Sequence, residues 1–235
     1  MAEATVTKQN PLPIGVLISG GGSNLQALID RMADGFIPAR IALVISNRTD
    51  AFGLERAQQA GIATLVIDHK AFPDRMGFEQ AMIDALQAAR VELVCLAGFM
   101  RVLTPLFIRA FAGRLLNIHP ALLPAFPGLH VQQRAIEAGA RFSGATVHFV
   151  TEEVDAGPII AQAVVPILDN DDAHTLAARI LKQEHRIYPL AVRLFAEGRL
   201  LVEGQRVRVL AREKEEAEEV LISPTEASTS NFVGC

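Results

Sequence analysis

Short unbroken runs of apolar residues, many of them β-branched, recur through the N-terminal part of the chain: IGVLIS (Ile14 to Ser19), IALVIS (Ile41 to Ser46), TLVID (Thr64 to Asp68) and ELVCLAG (Glu92 to Gly98). Between them the apolar positions change period. After the first run, Leu25, Leu28, Ile29 and Met32 recur at helical spacing, and the segments from about Phe52 to Ala60 and about Phe72 to Arg90 read as further helices. Runs that are apolar at every position suit strands buried on both faces. Helices alternating with them imply right-handed crossovers, so the expected class is α/β with a doubly wound, mostly parallel sheet.

After Gly98 the regularity breaks. LLNIHPALLPAFPGLH is punctuated by Pro120, Pro124 and Pro127, each of which stops a helix and restricts the residue before it. An irregular stretch this long inside a compact domain is usually functional. Beyond it the pattern predicts a helix around Val131 to Ala138, strands over Ser143 to Val150 and Pro158 to Ile167, and a helix from about Asp172 to Glu197. Pro189 lies inside that last helix and predicts a kink or break. The remainder offers one short strand in RVRV, then a charged segment containing KEEAEE, then a Ser/Thr-rich end, Ser223 to Cys235, expected to be a poorly ordered tail. No internal repeat or second domain is visible. The expected organisation is an extension over 1–12, a single domain over 13–209 and a charged, flexible segment over 210–235.

Composition narrows the classes. The 235 residues carry 22 Lys plus Arg against 26 Asp plus Glu, a net charge of -4, and 50% are hydrophobic, as suits one soluble globular domain. No basic excess or patch is available to neutralise a nucleic-acid backbone. The longest apolar stretch, Leu93 to Leu103, is interrupted by Arg101 and falls short of the roughly 18 to 20 residues that span a bilayer. The N-terminus lacks a secretory-type apolar core, and the two cysteines, Cys95 and Cys235, cannot frame a disulfide-rich fold, so a cytoplasmic location is expected. Cys95, inside LVCLAG, reads as a small buried hydrophobe, and the cysteine spacing offers no zinc site. KEEAEE reads as a solvated helix face or tether.

Two clusters carry candidate chemistry. Gly20-Gly21-Gly22-Ser23-Asn24 stands where the first strand ends and the first helix begins, so backbone N–H groups and the helix dipole converge where a phosphate monoester can sit. The same glycines would also serve a simple sharp turn with Ser23 or Asn24 capping the helix. Leu25 stands where the dinucleotide fingerprint needs glycine, and the Lys of a P-loop is missing. Asn117 and His119 alternate on one side of a short strand, a neutral amide donor beside a titratable imidazole. Asp155, in EEVDAGPII, could orient that imidazole, although spacing alone does not bring them together.

Taken in order and spacing, GGGSNLQALID, SNRTDAFGLERAQQAGI, LAGFMRVL, GRLLNIHPALLPAFPGLH, GATVHFVTEEVDAGPIIAQ and QEHRIYPL closely resemble the phosphoribosylglycinamide formyltransferases, folate-dependent enzymes of purine biosynthesis. The resemblance covers about Ile14 to Gln205. The NIHP and DAGPII elements belong to 10-formyltetrahydrofolate users in general; the glycine loop and QEHRIYP narrow the acceptor to glycinamide ribonucleotide. The resemblance implies a Rossmann-like sheet with an antiparallel C-terminal portion, 10-formyltetrahydrofolate as formyl donor, small-molecule substrates, no metal, no nucleic acid, no membrane, and a monomer or homodimer. It implies Asn117, His119 and Asp155 as the catalytic trio, and Gly22, Ser23, Asn24 and Glu184 as contacts to the phosphoribosyl substrate. It also implies Arg75, Met100, Arg101, Val102, Leu103, Asn117 and the loop Thr151, Glu152, Glu153, Val154, Asp155 as the folate site. Gly21 departs from the Asn that some members carry, and keeps the backbone donors. His130 and His148 lie inside these motifs, and His148, two residues past Thr146 on a strand, is placed to lie near the site behind the groups that meet substrate; His185, next to Glu184, is as readily structural as functional, and His69 and His174 read as solvated.

Several rivals remain at this point. A formyltetrahydrofolate deformylase shares the cofactor but carries an extra N-terminal domain. An initiator-tRNA formyltransferase would need a C-terminal domain and a basic surface. A silent nucleotide-binding module would lack one of the trio, and a nicotinamide-dependent oxidoreductase would show the complete glycine fingerprint.

Overall fold

A computed structural model describes residues 10–210. The KEEAEE run, the Ser223 to Cys235 segment and most of the expected N-terminal extension lie outside the described residues. The expected alternation is present: β1 (Leu12–Ile18), α1 (Ser23–Ala33), β2 (Ala39–Ser46), α2 (Phe52–Gln59), β3 (Thr64–Val66), a single 3-10 turn (His69–Ala71), α3 (Arg75–Ala88) and β4 (Leu93–Leu96). After it come α4 (Pro105–Ala110), β5 (Leu115–His119), α5 (Val131–Glu137), β6 (Phe142–Phe149), β7 (Ile159–Pro166), α6 (Ala173–Ala196), β8 (Leu200–Glu203) and β9 (Arg206–Val209).

Among the described residues the strands form one nine-stranded sheet in the order β3-β2-β1-β4-β5-β6-β7-β9-β8. The first five strands pair in parallel. β6 runs antiparallel to β5 and β7 antiparallel to β6, while the β8–β9 hairpin joins β7 by one parallel pairing, Ile159 with Arg206. The chain builds outward from β1 to β3, then returns to lay β4 on the other side of β1. In open α/β sheets that reversal leaves a crevice at the carboxyl ends of the two strands, where ligands bind.

Helices cover both faces because strand residues alternate. Ile14, Val16 and Ile18 of β1 pack in the cluster that holds Leu25, Leu28, Ile180 and Tyr188, whereas Leu17 packs with Phe78, Met82 and Leu86. Tyr188 is fully buried, and its hydroxyl donates to the carbonyls of Leu96, at 3.0 Å, and Leu116, at 3.3 Å, tying α6 to the end of β4 and the body of β5.

Three elements differ from expectation. The stretch after Gly98 contains α4, whose start is marked by Thr104 at the cap position and Pro105 at the first turn, and which buries Phe107 and Ile108. β8 forms because Leu200–Glu203 pairs back on β9, a contact that a short half-exposed segment does not announce. α6 runs unbroken through Pro189. The proline removes the donor that the His185 carbonyl would otherwise meet, but Pro189 is buried, as are Ile187, Tyr188, Ala191 and Val192 in the flanking turns, and the burial of these turns holds the helix together.

Tyr188→Phe leaves the two strand carbonyls without that donor while keeping the ring. The expected outcome is a loss of about 1 kcal/mol of stability in urea unfolding; an unchanged midpoint would mean the hydroxyl contributes nothing to the β4–β5 seam.

Candidate active site

The loop from Ser19 to Gly22 turns at the carboxyl end of β1. Gly22 holds the cap position of α1 with φ of +69°, and a Cβ there would stand 2.6 Å from the Gly53 Cα, so only glycine lets the loop lie against α2. The loop's carbonyls face that helix: Gly20 O accepts from Gly53 N–H at 3.0 Å and Gly21 O from Arg56 Nε at 2.8 Å. No side chain caps α1, so neither Ser23 nor Asn24 serves as a cap, and the first-turn amides stay open. Asn24 instead donates through Nδ2 to Glu184 Oε2 at 2.6 Å, leaving its own Oδ1 buried without a partner. Burial pushes the Glu184 carboxyl above the ordinary range, against the pull of Asn24 and of His119.

One strand over from β4, β5 carries Asn117 and His119, and antiparallel pairing sets Asn117 opposite His148 and His119 opposite Thr146 on β6. His119 is 6% exposed, with Nε2 3.0 Å from the Phe126 carbonyl and Nδ1 3.5 Å from Asp155 Oδ2. The same Oδ2 accepts the Gly128 N–H at 2.9 Å, and Oδ1 stands 3.8 Å from His148 Nε2. Asp155 thus joins the 120–130 loop to the loop that follows β6, and it does so from a left-handed backbone, φ +54°, which costs of order 1 kcal/mol for a residue with a side chain. That loop turns tightly onto β6: a Cβ on Gly157 would fall 1.8 Å from the Phe149 carbonyl.

His148, expected near the site from its place on the strand two residues past Thr146, is set directly opposite Asn117 by the strand pairing. Its Nδ1 lies 2.9 Å from the Phe149 carbonyl, which only an N–H can satisfy, so Nε2 is the acceptor for Asn117 Nδ2 at 3.2 Å. This fixes which end of the Asn117 amide is the donor. Burial lowers the His148 pKa and the nearby His119 lowers it further; the Phe149 carbonyl and Asp155 oppose the shift. Thr146 shapes the neighbouring loop by donating to Ala121 O at 2.7 Å and accepting from Leu123 N at 3.0 Å. The alternation in GATVHFV was the available signal for both residues.

The remaining expected residues are spread around this centre. Met100 and Val102 expose their side chains at the carboxyl end of β4, while Leu103 is buried and Arg101 lies 5.6 Å over the Phe78 ring. Thr151 Oγ1 donates to Glu153 O at 3.2 Å, Glu152 pairs with Arg109 at 2.8 Å, and Val154 is exposed. Arg75 is exposed at the start of α3 and is not drawn into contact with the trio. His130 is exposed at the cap position of α5, whereas His185 lines a cavity of about 370 Å³ with Ser23, Gln26 and Arg56. A larger cavity of about 920 Å³, beside Leu12, Phe36 and Glu92, opens at the amino ends of the strands, away from these groups. Among the described residues no three His, Cys, Asp or Glu side chains are grouped to hold a metal ion, and no helix is long and apolar enough to cross a membrane.

Asn117, His119 and Asp155 thus converge at the carboxyl edge of the parallel strands beside an open helix terminus, and residues 13–192 match the formyl transferase family, to which the chain belongs. Within it the chain belongs with the phosphoribosylglycinamide formyltransferases. It is 53% identical over 187 residues to the phosphoribosylglycinamide formyltransferase of Haemophilus influenzae, covering 80% of this chain and 88% of that one. It is 55% identical over 191 residues to the trifunctional purine biosynthetic protein adenosine-3 of Drosophila melanogaster, covering 80% of this chain and spanning only 14% of that longer protein. Glycinamide ribonucleotide transformylase 1 from Symbiobacterium toebii superposes with a TM-score of 0.86 at 55% identity, over 89% of this chain and 99% of that one.

The buried His148 ring should be less than half protonated at pH 6.5, where an ordinary imidazole is half protonated. The unfolded chain takes up that proton more readily, so the site's contribution to stability is full above pH 6.5 and falls as pH drops toward the folded-state value. Nitrogen-detected NMR of the imidazoles reads this directly; a His148 midpoint at or above the ordinary one would contradict the assigned tautomer and burial.

Proposed function

We propose that the chain transfers the formyl group of 10-formyltetrahydrofolate to the amine of N1-(5-phosphoribosyl)glycinamide, giving the N-formyl product and tetrahydrofolate in purine biosynthesis. The observation that carries this reading is the contact of His119 with Asp155 at the end of β5, beside Asn117 and the uncapped first turn of α1. The amides of Gly22, Ser23 and Asn24 receive the phosphate, and Glu184, held by Asn24, faces the ribose. Folate lies along Met100 to Leu103, with Asn117, Arg75 and the Thr151 to Asp155 loop around it. The reaction belongs to one unit spanning residues 13–209, working in the cytoplasm as a monomer or homodimer.

No enzyme nucleophile is required. The substrate amine attacks the formyl carbon, the carbonyl oxygen becomes an oxyanion, and loss of the bond to the folate nitrogen completes transfer as a proton passes from the amine to the leaving nitrogen. Asn117 donates one amide hydrogen to His148 and has a second for the oxyanion. The Phe126 carbonyl oxygen, 3.0 Å from His119 Nε2, marks where an oxyanion meets that ring, so substrate replaces this loop contact. Asp155 holds the opposite ring nitrogen and stands ready to relay the amine proton, directly or through a water.

The test follows tetrahydrofolate release from 10-formyltetrahydrofolate with and without glycinamide ribonucleotide. Release that depends on the ribonucleotide is expected; release to water alone would make the protein a deformylase, and no release from folded protein that binds the folate would make it a binding module. His119→Ala should lower kcat on the order of 10² to 10³ with little change in substrate affinity, and an unchanged kcat would remove His119 from the chemistry. Ser23→Asp should raise KM for the ribonucleotide and spare that for folate.

A further inference from the structure

We propose that Ser19 and Glu79 are positioning residues for the formyl donor, clamping the two ends of the Met100 to Leu103 segment; this rests on the reading of that segment as folate-binding. The segment belongs to no helix or strand, and two of its side chains, Met100 and Val102, are 71% and 57% exposed. A loop carrying exposed apolar groups keeps a binding shape only if its ends are fixed.

Each end is fixed by a buried polar side chain. At the start, the Ser19 N–H donates to the Gly98 carbonyl at 3.1 Å, and the Met100 N–H donates to Ser19 Oγ at 2.8 Å. Ser19 Oγ in turn donates to Asn47 Oδ1 at 2.6 Å, and both residues are buried. At the far end, the carboxylate of Glu79 on α3 is 1% exposed and accepts the Thr104 N–H at 2.9 Å and 3.2 Å through its two oxygens, and the Thr104 hydroxyl as well. A carboxylate withdrawn this far from water is retained only where donors meet it, and Thr104, the residue after the segment, supplies them. Neither clamp touches Asn117, His119 or Asp155. The glycine loop that follows Ser19 is separately secured, through Gly20 to Gly53 and Gly21 to Arg56, so loosening the clamp should leave the phosphate side in place.

Ser19→Ala, Glu79→Gln and Thr104→Val in the full chain test this by steady-state kinetics with each substrate varied. The expected result is a KM for 10-formyltetrahydrofolate raised about tenfold, with KM for the ribonucleotide and kcat at saturating folate within about twofold of the parent. Thr104→Ser keeps both donors to Glu79 and should retain the parental folate KM. If Glu79→Gln fails to fold, Ser19→Ala and Thr104→Val still decide the matter. A folate KM that does not move, or that rises in step with the ribonucleotide KM, overturns the clamp while the transferase reading stands. Absence of ribonucleotide-dependent release from the parent protein overturns the reading itself, and the clamp with it.

Discussion

The return of the chain across β1, which sets β4 beside it and then β5 beside β4 in parallel, is the constraint on which the rest depends. Parallel pairing sends all three strands out at the same edge, so the glycine loop, the Met100 segment and the Asn117–His119 pair emerge side by side. The strands are short and apolar because helices cover both their faces, and the polar groups that chemistry needs are deferred to the residues just past their ends. The antiparallel β6 then fills the open side of β5 and brings His148 and Thr146 up from the other direction.

Buried polar groups at this edge work in relay. His148 takes a hydrogen from Asn117, Asp155 holds His119 and the Gly128 amide together, and Asn24 restrains Glu184. Each of these groups pays a desolvation cost that only its specific partner offsets, which makes the arrangement intolerant of small displacements and well suited to presenting donors in fixed directions. Strain sits in the same place: Phe126, His130 and Asp155 all adopt left-handed backbone within the loops that surround the imidazoles.

Much of this was legible in the residue pattern. Unbroken apolar runs marked β1, β2 and β4; the glycine cluster marked the turn into α1; and alternation put Asn117 and His119 on one side of β5. The contact between His119 and Asp155 was not legible from spacing, because it depends on how far β6 and β7 travel before the loop between them folds back over β5. Resemblance supplied that pairing, and the geometry accounts for it. α4 was hidden in the irregular stretch after Gly98, where only Thr104-Pro105 signalled a start. Pro189 misled because a breaker's local cost was read without the packing that outweighs it. His148 was legible as a residue near the site from its position on the strand, but its partner was not, since Asn117 reaches it only through the cross-strand register.

Tyr188 gives the protein an optical property of its own. The full chain contains one tyrosine and no tryptophan, and that lone phenol is sealed beneath β4 and β5 with its hydroxyl on the carbonyl that precedes Asn117. Excited at wavelengths too long for phenylalanine to absorb, near-ultraviolet emission from this molecule therefore arises at a single known point beneath the Asn117–His119 pair. A native chromophore of this kind reports on the seam between the two central strands with no label attached and no background from the surface.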